Sequence, residues 1–335
     1  MERSETKNLK ILRGVCPSQR LRMTMSNKSS VEEIEMKIDL HIHSKTGSDG
    51  NLSIEEVFQE AKNRNIDLIS ITDHDSIDCQ ERAIALARKH DISYITGVEL
   101  NVTFRYPEKD KAVSLDFLGY QFDIDNQELK NKLRVIKEHR KTRAHQILEK
   151  LNVEFDKEGI DRFTEQDLKN IQDSVDGVFG RPHIANYLIE KGIVKDKQEA
   201  FDKYLVKCDV PKYPLSLAEA SKLIRNAGGI LVQAHPNDPN GTSLVSLTHD
   251  LDEQTKLIEE YMLEYVDGVE CWHSRHDENT AAHYIEFARK HSLIMTGGSD
   301  CHQKPMLMGM VDIPDWVAAQ FSGKKWSSLQ PIDKI

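Results

Sequence analysis

Three things are scarce in this chain of 335 residues. It has no unbroken apolar run of about eighteen residues, so no membrane-spanning helix is expected. Its five cysteines, Cys16, Cys79, Cys208, Cys271 and Cys301, are odd in number and lack C-x-x-C spacing. That argues against a disulfide framework or a thiolate zinc site, and for reduced thiols in the cytoplasm. Positive charge is also short, with 45 Lys and Arg against 55 Asp and Glu and a net charge of −10. Sequence-independent binding to duplex nucleic acid needs a basic surface, and is therefore not expected. An anionic substrate stays open, because bound divalent cations invert the sign of a local site. At 39% hydrophobic and 30% charged, the composition is that of a globular protein. Its length allows one large domain or two ordinary ones.

What is present begins at Ile38 to Gly50, I-D-L-H-I-H-S-K-T-G-S-D-G, a short apolar strand running into a Gly-bounded turn. His41 and His43 are two apart, so on a strand both side chains leave one face and can share a cation. Asp49 follows in the turn. The H-x-H pair is a weak signal by itself, since two histidines on one strand face are commonly ordinary core or polar residues. Its weight comes from repetition. D-L-I-S-I-T ends in Asp73-His74-Asp75, I-S-Y-I-T-G-V-E-L delivers Glu99, and Val113 to Tyr120 carries Asp116. I-L-V-Q-A-H-P places His235 at a strand end, and L-I-M-T-G-G-S-D-C-H ends on Asp300 and His302.

Helices separate most of these runs. Ser53 with Glu56 and Ser216 with Glu219 are capping-box pairs, and Ile54, Val57, Phe58 and Ala61 make an apolar stripe. Seven strands alternating with helices predict a parallel α/β fold, whose polar strand ends converge on one site. From about Asp125 to Pro214 the pattern becomes helical and highly charged, which predicts a helical insertion over one end of the strands. Within it Gly180 to Ala185, G-R-P-H-I-A, opens a helix at Pro182. Arg181 and His183 are then either an ordinary helix start or site residues. Met1 to about Met36 is polar and aperiodic, with seven Lys or Arg between Arg3 and Lys28 and no apolar core of a secretory signal. It reads as a disordered extension.

In order along the chain, D-L-H-I-H-S with S-D-G, I-T-D-H-D, G-V-E, G-R-P-H-I-A, A-H-P and G-S-D-C-H resemble the PHP (polymerase and histidinol phosphatase) family of metal-dependent phosphoesterases. The resemblance runs from Ile38 to about Gly309. It is strongest to a branch that hydrolyses nucleoside 3′,5′-bisphosphates and, in some members, short RNA from the 5′ end. It implies a distorted (β/α)7 barrel over 37–124 and 215–315, with a helical insertion at 125–214 and a tail at 316–335. Two to three divalent cations are implied, manganese first and iron or zinc otherwise. One would take His41, His43, Glu99 and Asp300; a second would share Glu99 and add Asp116 and His183; a third would take Asp49, His74 and His302. Asp116 stands where most relatives have histidine, a change that favours harder metals.

The implied chemistry is hydrolysis of the 3′-phosphate by metal-activated hydroxide. Arg181 would bind phosphate in forked geometry. His235 would bind phosphate, protonate the leaving oxygen, or simply support the fold. Arg140 and Arg143, three apart on a helix, either reach the second phosphate or form a solvated face. Trp272 and His273 are candidates for stacking on a base, with packing the plainer role for the tryptophan. The alternatives are a histidinol-phosphate-type monoesterase, a 5′-3′ exonuclease on short RNA, and a non-catalytic metal-binding module.

Overall fold

The computed structural model describes residues 36–107, 111–173, 180–302 and 307–322. The extension expected over residues 1–36 lies outside the described residues except for Met36, as does the tail beyond Ser322. Among the described residues, eight strands form two sheets. β1 (Ile38–Ile42), β2 (Leu68–Ile71) and β3 (Ser93–Tyr94) pair in parallel in that order. β4 (Gly97–Tyr106), β5 (Lys111–Tyr120), β6 (Ile230–Gln233), β7 (Gly268–His273) and β8 (Ile294–Gly298) make the second sheet.

The parallel alternation expected from the sequence holds for β1 to β3 and for β6 to β8, but not between them. β4 and β5 are an antiparallel hairpin in register from Gly97 with Tyr120 to Tyr106 with Lys111. β5 also runs antiparallel to β6. The run read as one strand ending at Glu99 is two, broken at Ile95–Thr96, so Glu99 sits near the start of β4. The first sheet is bonded to the second at both edges. Asp300 N donates to His41 O (2.8 Å) and His43 N to Cys301 O (3.1 Å) on one side. Asp75 N donates to Glu99 O (2.7 Å) on the other.

Local chemistry explains the helices. In α1 (Ile54–Asn63) the Ser53 hydroxyl accepts from Glu56 N, and the Glu56 carboxylate accepts from Ser53 N, a complete capping box. The expected stripe Ile54, Val57, Phe58 and Ala61 is buried. Along with α2 (Gln80–His90), α1 covers the first sheet. α7 (Leu217–Asn226) is capped by Ser216, but the Glu219 carboxylate turns instead to Lys132 at 2.5 Å. α8 (Leu251–Tyr261) and α9 (Glu278–His291) pack beside β6 to β8 in the largest core.

Between β5 and β6 the described residues include helices and loops but no strand. α3 (Gln127–Glu158) is followed by α4 (Glu165–Asp173), α5 (Arg181–Glu190), α6 (Lys197–Ala200) and a π-helical turn at Phe201–Leu205. α3 serves two cores. Leu129, Leu133 and Ile136 pack against the second sheet, while Ile147, Leu148, Leu151 and Phe155 pack with α4, α5 and the π turn.

The close approach of β1 and β8 depends on Gly298, where a methyl group would run into the backbone and Cβ of His41. Gly298→Ala is therefore expected to destabilise the metal-free protein by about 1–3 kcal/mol, the usual cost of overpacking. Thermal unfolding reads this directly, and an unchanged midpoint would mean the strands can part without loss.

Candidate metal centre

The strand ends gather histidines and carboxylates around one cavity. His41 and His43 are fully buried. As the alternation of a strand requires, they leave one face, and their Nε2 atoms are 3.1 Å apart. The His41 Nδ1 atom lies 3.1 Å from Glu270 Oε1. The turn after His43 is clamped by Asp73, whose carboxylate accepts from Ser44 N (2.6 Å) and Ser44 Oγ (2.7 Å). Ser48 then donates to Asp49 Oδ1 at 2.9 Å. Asp39, buried under His41, accepts from Ser299 N (2.9 Å) and Gly309 N (2.8 Å), which fixes the segment bearing Asp300.

Glu99 is the hub. Its Oε1 lies 2.9 Å from His235 Nε2 and 3.6 Å from His41 Nε2, and its Oε2 lies 2.8 Å from His74 Nδ1 and 3.3 Å from His43 Nε2. Asp300 Oδ1 is 3.1 Å from His43 and 3.3 Å from His302. Asp49 Oδ1 is 3.3 Å from His302 and 3.6 Å from His74.

Burial alone would discharge all of these groups, but their mutual attraction wins. Glu270, Glu99 and Asp300 raise His41 well above its ordinary pKa against its burial. Hydrogen bonds to Asp300 and Glu99 similarly carry His43 to about 10, and Glu99 carries His235 to about 9. Burial would raise the carboxylates, yet His74 and His41 hold Glu99 well below the usual range. His74 and His302 do the same for Asp49, and His302 and His41 for Asp300.

This donor set fits divalent cations. The atoms of His43, Asp49, His74 and His302 lie within 4.8 Å of one another, as do those of His41, Glu99 and His235, and those of His41, His43 and Asp300. Imidazole and carboxylate without thiolate suit manganese, iron or zinc. Two imidazole nitrogens facing each other across 3.1 Å have no good partner in each other unless one is protonated, and a shared cation satisfies both.

The structure thus brings together seven of the residues named from the sequence: His41, His43, Glu99 and Asp300, and Asp49, His74 and His302. The expected set of Glu99, Asp116 and His183 lines one cavity but is not among the donor sets lying within 4.8 Å in the described residues. Across the β4–β5 ladder Asp116 pairs with Asn101, two positions along from Glu99 and on the same face, and accepts the Asn101 amide at 2.5 Å. His183 accepts from Gly180 N at 3.0 Å, at the start of its own helix, and burial lowers its pKa against the pull of Asp49. His235 occupies the place beside Glu99. Asp116 and His183 line the same cavity without joining a convergent set among the described residues.

That cavity encloses about 680 Å³. Arg140, Arg143 and Arg181 all line it, and each is tied to a carboxylate. Arg140 pairs with Asp75, next to His74. Arg143 bonds Asp209 (2.6 Å) and Val210 O (2.5 Å). Arg181 meets Asp209 at 3.1 Å and lies over the Phe201 ring.

Sequence reasoning missed Lys212, Asp238, Glu270 and Arg275. Arg275 lines the cavity, 3.7 Å from Asp300, and is anchored on the fully buried Asp238. The signal for Glu270 was an acid inside the apolar run V-E-C-W. Trp272 packs edge-on against Trp316 at 5.8 Å and does not line the cavity, so it takes the packing role. Cys301 is a buried free thiol, like the other described cysteines.

Three comparisons bear on this arrangement. The sequence profile of the PHP domain matches residues 39–294. The chain is 30% identical to the 3′,5′-nucleoside bisphosphate phosphatase of Chromobacterium violaceum over 273 residues, which span 79% of this chain and 87% of that one. It is 29% identical to the 5′-3′ exoribonuclease of Haemophilus influenzae, over 79% of this chain and 90% of that one. A solved structure of a candidate metal-dependent phosphoesterase from Bifidobacterium adolescentis superposes with a TM-score of 0.69 at 25% identity, covering 85% of this chain and 95% of that one. Ligand-bearing strand ends, profile and relatives agree: the chain belongs to the PHP domain family and is a metal-dependent phosphoesterase.

Proposed function

We propose that the protein removes the 3′-phosphate of a nucleoside 3′,5′-bisphosphate. The observation that carries this reading is a cavity with two unlike walls. The strand-end wall is rich in histidine and carboxylate. The helical wall carries Arg140, Arg143, Arg181, Lys197 and Lys212. Asp75 and Asp209 pair with the arginines, while the two lysines have no carboxylate partner among the described residues. A substrate with two phosphates satisfies both walls, one ester at the strand ends and the other phosphate among the cations.

Two to three divalent cations, manganese first, would be held by His41, His43, Glu99 and Asp300, by Asp49, His74 and His302, and by Glu99 with His235. Bound there, they supply Lewis-acid charge and an acidified water at neutral pH. Asp116 and His183 line the cavity beside these sets, and their part is an outer one. Arg275 is oriented by Asp238 to donate to a phosphoryl oxygen next to Asp300. Arg181, braced by Phe201 and Asp209, offers its remaining N–H groups to the distal phosphate with Lys212. Glu99 keeps the His235 ring turned into the site. The two sheets, bonded at both edges, are read as a distorted barrel, and residues 125–214 as a helical insertion providing the basic wall. Separate buried thiols accord with a cytoplasmic location.

Phosphate release by manganese-loaded protein from adenosine 3′,5′-bisphosphate, AMP and histidinol phosphate tests the proposal, with mononucleotide release from a short 5′-phosphorylated RNA followed in parallel. Preference for the bisphosphate is expected. Faster cleavage of the RNA would replace the phosphatase reading with an exonuclease one. A charge-assisted hydrogen bond is worth about 1.5–3 kcal/mol. Lys212→Ala should therefore lower kcat/KM for the bisphosphate by about 10- to 100-fold and narrow its preference over 3′-AMP by a similar factor.

A further inference from the structure

We propose that Glu270 is a positioning residue that sets two of the metal-binding histidines, His41 and His235, at once. It does not line the cavity, so it meets no substrate. It lies on β7 where the pairing with β8 shifts register between Glu270 and Trp272, an irregularity that re-aims a side chain. The carboxylate is fully buried in an otherwise apolar run. Such a charge is kept only where it is paired and hydrogen-bonded.

Its partners come from two other strands. His41 Nδ1 lies 3.1 and 3.3 Å from the two oxygens, and His235 N donates to Oε2 at 2.7 Å. The first contact holds the His41 proton on Nδ1 and leaves Nε2 facing His43, Glu99 and Asp300. The second acts on backbone. His235 has a φ of +22°, a conformation that a non-glycine residue holds only when its surroundings impose it. The Oε2 atom pins the amide of that residue while the ring bonds Glu99 at 2.9 Å. One carboxylate therefore fixes a ring tautomer on β1 and a strained backbone just beyond β6. The Asp49, His74 and His302 set has no such contact with Glu270, so it serves as an internal control.

The inference rests on the reading of His41 and His235 as ligands, and the experiment separates the two. Metal-free protein and its Glu270→Gln variant are titrated with Mn²⁺, following free Mn²⁺ by electron paramagnetic resonance. Glutamine keeps the shape, but whichever way its amide is turned the NH₂ group meets an N–H donor, His41 Nδ1–H in one orientation and His235 N–H in the other. In the variant, the class of sites that uses His41 and His235 is expected to weaken by about 10- to 100-fold, with the remaining class unchanged. Adding His302→Ala to the variant should abolish that remaining class. A folded Glu270→Gln protein with wild-type affinity at every site overturns the proposal. Equal weakening of all sites overturns it too, since it would mean general loosening. If wild-type protein binds no Mn²⁺, the ligand reading itself fails and this inference falls with it. Should the variant unfold, Glu270→Ala under the same titration answers the same question.

Discussion

Glu99→Gln is expected to reduce phosphate release by about 10³-fold or more, the largest loss from any single substitution in this site. Several kcal/mol of transition-state stabilisation come from a metal acting as a Lewis acid, and each 1.36 kcal/mol is a factor of ten in rate. Glu99 touches four histidines, His41, His43, His74 and His235, with one buried carboxylate. Glutamine keeps the shape but donates where a lone pair is needed, and it removes the charge that holds those rings together. Steady-state rates in excess Mn²⁺, with metal content measured on the same sample, check this. Near-wild-type turnover in Glu99→Gln would remove Glu99 from the centre.

The second large effect concerns pH and metal. In metal-free protein His41, His43 and His235 have pKa values above that of free histidine, near 6.5. Their protonation therefore stabilises the fold fully below about pH 6.5, and this is lost as pH rises through about 9 to 10. Glu99, Asp49 and Asp300 are depressed, so their contribution is present above the ordinary carboxylate range and fades as pH falls through their lowered values. Metal-free protein should therefore be most stable on the acid side of neutrality. Between pH 7 and 10 it should lose about 2 °C or more of Tm per pH unit. A cation competes with these same protons, so its uptake releases them and its affinity climbs about tenfold per pH unit for each proton displaced. Calorimetry in buffers of different ionisation enthalpy counts those protons. Metal binding that releases none would contradict the charge state described for the histidines.

Much of this site is legible in the sequence for a simple reason. A parallel strand ends where its loop begins, so His41 and His43, His74, and Asp300 with His302 announce a common centre by position alone. The Ser53–Glu56 cap is legible because both partners are local. What failed was non-local. The β4–β5 hairpin hides behind Ile95–Thr96, which interrupts a β-rich run too gently to be read as a break. Its better signal was the turn-forming Pro107 and its charged successors between two alternating runs. Asp116 and His183 both line the cavity, Asp116 on the same face of the hairpin as Glu99 and opposite Asn101, and His183 at the start of α5, but order along the chain carries no distances between them. Glu270 escaped because its partners arrive from residues near positions 41 and 235, a junction that exists only once three strands are assembled.

The double anchorage of α3 bears on how molecules enter and leave. A helix of 32 residues spans about 48 Å as one rod. Its first half is buried against the sheet and its second half in the helical core, so swinging the basic wall away would expose one of those cores or break the rod. Exchange through the cavity is therefore expected to use side-chain rearrangement rather than a hinge. The Arg140–Asp75 pair, one step from His74, ties the basic wall to the strand-end wall, and an arriving anion competes with Asp75 for the arginine.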